Sequence, residues 1–144
     1  MIVDQDMLKL TKNNSLFKNL PDSFLKSFIK PKKFFLAKEG TLMYSFDDTA
    51  DAIYLVVMGD IKIKFVDKRN IEYRYLLDFF GEKEILEKTN RISFAIANND
   101  CTLYKIDAEE LQELIESYQV VSDNLNKLDK VEDPELLMQS NFIS

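Results

Sequence analysis

The sequence predicts a mainly β fold of the roll type, about eight short strands with α-helices before and after them. Two observations carry this. From Phe34 to Ile106 short apolar runs follow one another, each broken by Gly, Asn, Asp or Ser. Helix-type spacing of apolar residues is confined to the two ends, before Pro31 and after Asp107.

At the N-terminus, Met7, Leu8 and Leu10 give weak helical character within Met1 to Lys12. Leu16, Phe17 and Leu20 precede Pro21-Asp22-Ser23, and Phe24, Leu25, Phe28 and Ile29 follow at helix spacing. Pro21 or Asp22 suits a helix start and Pro31 lies just past the end. The expectation is two short helices joined near Asn19 to Pro21.

The period then changes. Phe34-Phe35-Leu36 and Leu42-Met43-Tyr44 are short apolar runs on either side of Gly40. Ala52 to Val57 reads as a buried strand ended by Met58-Gly59-Asp60. Ile61, Ile63 and Phe65 alternate with Lys62 and Lys64, the pattern of a half-buried strand. A turn near Asp67 to Asn70 leads into a strand over Tyr73 to Leu77. Ile92 to Ala97 and Cys101 to Ile106 form a pair joined at Asn98-Asn99-Asp100.

Helix spacing returns at Asp107. Asp107 with Glu110 makes a capping-box pair, and Leu111, Leu114, Ile115 and Tyr118 share one face. A second stretch, Val120 to Leu128, repeats the spacing with Val121, Leu125 and Leu128. Asp133-Pro134 breaks it. The expected organisation is one domain over residues 1–130 and a C-terminal tail over 131–144. The apolar stripe of the last helix fits packing on its own roll and on a second subunit alike, so a homodimer through the C-terminal helices stays open.

Composition narrows the function. The chain has 144 residues, 46% of them hydrophobic, which is enough for a core. A net charge of −6 repels nucleic-acid phosphates, so no nucleic-acid partner is expected. Lys30, Lys32 and Lys33 form a short basic cluster that reads as a solvated turn. Histidine is absent, which removes the commonest general base and metal ligand. The acidic pairs Glu109–Glu110 and Glu113–Glu116 read as a solvated helix face. Cys101 is the single cysteine and lies in an apolar run, so a core thiol is expected. No stretch approaches the ~18 apolar residues of a membrane span, and Asp4 and Asp6 near the start argue against a signal peptide. The expectation is a cytoplasmic protein that is not an enzyme, holds no cofactor and contacts no membrane.

Glycine is scarce. Gly40, Gly59 and Gly81 each sit at a break between apolar runs, where positive φ or close backbone approach calls for glycine. Gly81 is followed by Glu82, a helix-like run Lys83 to Glu87, and Arg91 nine residues after Glu82. A guanidinium suits a phosphate, amides of a helical turn suit it too, and a carboxylate suits a ribose hydroxyl. Taken bare, a Glu and an Arg across a turn are more often a surface ion pair.

The order of these features resembles the cyclic-nucleotide-binding domain family, shared by catabolite activator proteins, regulatory subunits of cAMP-dependent kinase and cyclic-nucleotide-gated channels. The resemblance runs from about Leu16 to about Leu128. It rests on Leu16-Phe17 with Leu20, Gly40, Tyr44, Asp48-Thr49-Ala50-Asp51, Ile53-Tyr54-Leu55-Val56, Gly59, Phe80-Gly81-Glu82, Arg91, Ala95, Ala97, Leu103-Tyr104 and the helix from Asp107. It implies an eight-stranded, jelly-roll-like β-roll with N-terminal helices and C-terminal lid helices. It also implies a ligand site at Gly81, Glu82, Glu84, Ile85, Arg91 and Ile92. Glu82 would accept the ribose 2′-hydroxyl, Arg91 would pair with the cyclic phosphate, and amides near Glu84 and Ile85 would face it.

This chain departs from the family pattern in places. Glu84 stands where the family has a small alanine, Asn90 where it has proline, and Ile92, Ser93 and Phe94 where it has small residues and threonine. Ile92 offers no hydroxyl for a guanine, which favours cAMP over cGMP. Leu77 and Asp47 stand at turn glycines. Two functions follow as expectations. One is a cyclic-nucleotide sensor that relays binding to an unidentified protein partner by moving its C-terminal helices. The other is a degenerate β-roll that binds no nucleotide and serves as a protein-interaction or dimerisation module. A catabolite-activator type of transcription factor would need a helix-turn-helix, and the roughly sixteen non-basic residues after Leu128 are too few for one.

Overall fold

Apolar runs buried on both faces set the architecture. The computed structural model describes residues 1–67 and 69–127. Strand β3 (Ala52–Met58) is its spine: Ala52, Tyr54 and Val56 face the inside of the roll, while Ile53, Leu55 and Val57 face a second core under the helices. The continuous apolar run predicted there reflects burial on both faces.

Around β3 lie β1 (Phe34–Ala37), β2 (Leu42–Tyr44), β4 (Ile61–Phe65), β5 (Ile71–Arg74), β6 (Phe79–Phe80), β7 (Ser93–Ala97) and β8 (Cys101–Asp107). They form two antiparallel four-stranded sheets, ordered β1-β8-β3-β6 and β2-β7-β4-β5. Eight strands in two such layers make the predicted jelly-roll-like β-roll. In β4, Ile61 and Ile63 point inward and Lys62 and Lys64 outward, as the alternation requires.

Helices α1 (Gln5–Lys12), α2 (Asp22–Phe28), α4 (Ala108–Ser117) and α5 (Gln119–Lys127) cover the outer face of the first sheet. The segment Ser15–Phe17 is a single 3-10 turn rather than a full helix. Asn14 caps it through Leu16 N–H, and Leu16 and Phe17 enter the core. The capping box at the start of α4 forms, with Asp107 N–H donating to Glu110 Oε1 at 3.1 Å.

Two strands differ from expectation, the first being β6, which is not among the predicted runs. The strand anticipated over Tyr73 to Leu77 is β5, which ends at Arg74. Tyr75 to Asp78 make a turn instead: Asp78 N–H donates to Tyr75 C=O and Tyr75 N–H to Asp78 Oδ2. Leu77 takes φ +75° and Asp47 φ +72°, so both keep the left-handed geometry of the glycines they replace.

Helix α5 is tied to the N-terminal turn by one side chain. Asn124 Nδ2 donates to the carbonyls of Leu16 (2.9 Å) and Lys18 (2.8 Å). Asn124→Ala should lower the unfolding free energy by about 1.5–3 kcal/mol, because two carbonyls lose a buried partner. Urea denaturation reads this, and a loss below about 0.5 kcal/mol would show that the tether carries no stability. Val121 and Leu125 of the predicted stripe pack into the helical core. Leu128 and the expected tail lie outside the described residues. Among the described residues no helix is long and apolar enough to cross a membrane, and no group of three or more His, Cys, Asp or Glu is placed to hold a metal ion.

Candidate functional site

The site is built where β6 runs into a one-and-a-half-turn helix. Phe79 and Phe80 are fully buried, and Gly81 turns the chain at φ +89° into α3 (Glu82–Glu87). A Cβ on Gly81 would stand 3.1 Å from Arg91 Nη1 and 3.3 Å from Ala52 C=O. Glycine is therefore required both by the left-handed turn and by the guanidinium packed on it. Lys88, at φ +58°, ends α3, and Thr89 N–H closes the last turn onto Glu84 C=O at 2.9 Å.

The chain then reaches Arg91, whose backbone is clamped by the loop after β2. Arg91 N–H donates to Asp48 C=O at 2.8 Å and Asp47 N–H donates to Arg91 C=O at 2.7 Å. Asp48 in turn accepts Ser45 N–H at 2.8 Å. The Asp47-Asp48 turn therefore fixes where the arginine leaves the backbone.

The Arg91 side chain is 1% exposed, and protein groups meet it on several sides. Its Nη1 donates to Gly81 C=O and its Nη2 to Ala52 C=O, both at 2.6 Å. The Glu84 carboxylate lies 3.5 Å from Nη1. The guanidinium carbon sits 4.0 Å from the centre of the Tyr44 ring, a cation–π contact. Only Nε is buried with no hydrogen-bond partner.

Glu82 and Glu84 are both buried, at 4% and 3% exposure. With Tyr44, Arg74, Gly81 and Ser93 they line a space of about 20 Å³, roughly the room one water needs. Burial, then the Glu84 charge, push the Tyr44 hydroxyl far above the usual tyrosine range, against the pull of Arg91 and a hydrogen bond with Ser93. Tyr44 therefore stays neutral. Glu72, Glu82 and Glu84 match Arg74, Lys83 and Arg91 in formal charge, with Glu72 paired to Arg74 and Glu84 to Arg91.

The structure thus brings Gly81, Glu82, Glu84 and Arg91 together. The Ile85 side chain packs under the helices, and Ile92 is half-buried outside the lining of this space. Three residues of the site were missed as such from the sequence. Tyr44 stands in the sequence reading within an apolar run and as a marker of the fold, not as a site residue. Ser93 was read only as a departure. Arg74 Nη2 pairs with Glu72 Oε1 at 2.7 Å, and its Nε is buried without a partner. Opposite charges two apart on a strand share a face, and that spacing was the available signal. A much larger open concavity, about 780 Å³, lies elsewhere, beside α1 at Met7, Leu10, Met58 and Leu77. No residue of the segment from Gly81 to Arg91, the cassette of this site, lines it.

A family model described as the cyclic nucleotide-binding domain matches residues 35–118, more than half of the chain. The chain belongs to this family. Solved structures agree on the cyclic nucleotide-binding fold. The catabolite activator protein of Thermus thermophilus is 24% identical with a TM-score of 0.62, covering 78% of this chain and 55% of that one. The regulatory domain of Toxoplasma gondii PKA, solved with cAMP, is 18% identical with a TM-score of 0.63, covering 76% and 43%. The sensor domain of the transcriptional regulator DNR from Pseudomonas aeruginosa is 17% identical with a TM-score of 0.66, covering 82% and 86%. The chain spans about half the length of the first two. Among curated proteins, none matches it.

Proposed function

We propose that this cyclic nucleotide-binding domain is a non-catalytic regulatory module that works through protein contacts, with its nucleotide seat filled from within by Glu84. A single observation carries the reading: the buried Arg91 guanidinium is already met by Gly81 C=O, Ala52 C=O, the Glu84 carboxylate and the Tyr44 ring. Pockets for small ligands enclose about 300–1,000 Å³, against about 20 Å³ beside the cassette. The small space at Glu82 and Glu84 supports a seat filled by protein groups. The module is one domain over residues 1–130, and its partner is a protein, a second copy through the C-terminal helices included.

The second reading is a cyclic-nucleotide sensor. It is favoured by Glu82 and Arg91 lying together beside Gly81, since these suit a ribose hydroxyl and a cyclic phosphate. In that reading Gly81, Glu84 and Ile85 supply backbone to the phosphate, cAMP is preferred to cGMP because Ile92 carries no hydroxyl, and the C-terminal helices relay binding to a partner.

Thermal unfolding with and without ligand decides between them. A ligand at a hundred times its dissociation constant stabilises by about 2.7 kcal/mol, several degrees for a domain of this size. The filled-seat reading expects millimolar cAMP or cGMP to move Tm by less than about 1 °C. A rise of several degrees would overturn it in favour of the sensor.

A further inference from the structure

We infer that Glu84 is a latch: one side chain that closes an otherwise assembled phosphate seat against cyclic nucleotides. The inference rests on the filled-seat reading above and names what fills the seat.

The geometry separates Glu84 from the rest of the site. The two carbonyl contacts that orient Arg91 are short, 2.6 Å each, and come from Gly81 and Ala52. The Glu84 contact is the long one, 3.5 Å. Arg91 is also held from behind by the Tyr44 ring, and its backbone by the Asp47-Asp48 turn. None of these supports comes from Glu84. Removing its carboxylate therefore leaves the guanidinium aimed as it is now, with Nη1 relieved of the Glu84 carboxylate.

A phosphate oxygen would satisfy the same donor, because carboxylate and phosphate are interchangeable partners of a guanidinium. Removal also leaves Arg74, Lys83 and Arg91 beside two carboxylates instead of three, so an anion meets one negative charge fewer. Glu84 is the third residue of the first turn of α3, where an acidic side chain suits the helix dipole. Here it is turned inward and buried.

The experiment compares the wild-type chain, Glu84→Ala and Glu84→Ala/Arg91→Met in thermal unfolding with and without millimolar cAMP. Glu84→Ala should rise by about 3 °C or more with ligand, while the wild type and the double variant stay within about 1 °C. A folded Glu84→Ala that does not respond overturns the latch and leaves the filled-seat reading standing. A wild type that responds as strongly as Glu84→Ala overturns both. A double variant that responds as well as Glu84→Ala places the ligand away from Arg91 and overturns the latch. Should Glu84→Ala fail to fold, Glu84→Gln keeps the volume and removes the charge. It should respond in the same direction by a smaller amount, and no response from it overturns the latch.

Discussion

Arg91→Ala should destabilise the domain by about 3–5 kcal/mol, the loss typical of removing one partner from a buried ion pair. The reason lies in what remains. Glu84 stays buried with its neighbouring cation gone, and the carbonyls of Gly81 and Ala52 each lose a 2.6 Å hydrogen bond. The Tyr44 ring would then face a cavity where the guanidinium stood. Against a typical domain stability of about 5–15 kcal/mol, the variant would be marginal at 37 °C. The double variant Glu84→Leu/Arg91→Met should recover much of the loss, because exchanging a buried pair for apolar residues of like size is often neutral. Urea denaturation of the wild type, Glu84→Leu, Arg91→Met and the double variant gives the coupling directly. An Arg91→Ala loss below about 1 kcal/mol would mean that Arg91 is not the buried organiser of the cassette.

Gly59→Ala should cost about 2–5 kcal/mol, the sum of a left-handed backbone penalty and overpacking. Gly59 has φ +89°, and a Cβ there would stand 2.6 Å from Asp100 C=O, 2.7 Å from Cys101 Sγ and 2.9 Å from Asn99 Oδ1. The first of these is backbone of the β7–β8 turn, which cannot step aside without disturbing β8. Gly40 is the internal control. It has φ +85° but nothing within 4 Å of the added carbon. Gly40→Ala should therefore cost only the backbone part, about 1–2 kcal/mol. Equal losses at the two positions, read as shifts in Tm or urea midpoint, would show that φ alone and not the packed turn sets the requirement.

Much of the fold was legible because the residues that make it obey local rules. The β3 run is apolar at successive positions because both its faces are covered. The β4 run alternates because one face is not. Asp107 and Glu110 announce the start of α4. The errors have local causes too. Tyr75, Leu76 and Leu77 have strand-like side chains, but Leu77 sits in the left-handed region, where side-chain type gives no warning. Strand β6 has two residues, too few to show a period.

The candidate site was legible in part. Gly81, Glu82 and Arg91 were marked by their order along the chain and by family resemblance. The direction of Glu84 was not. A carboxylate in the first turn of a six-residue helix is compatible with water on one side and a guanidinium on the other. Only the position of Arg91, set by the distant Asp47-Asp48 turn, decides between them. Tyr44 joins the site for the same reason: its role comes from a residue that packs on it from 47 positions away along the chain.

The pairing of β1 with β8 sets a clock on every new copy of the protein. Phe34 lies opposite Tyr104, and Ala37 opposite Cys101. At about 5–20 residues per second, a ribosome needs roughly 4–14 s to travel from one partner to the other. For that interval the nascent chain carries an apolar edge strand whose neighbour has not yet been made. Phe34 and Ala37, covered in the finished domain, are then open to any chaperone or stray strand that meets them first.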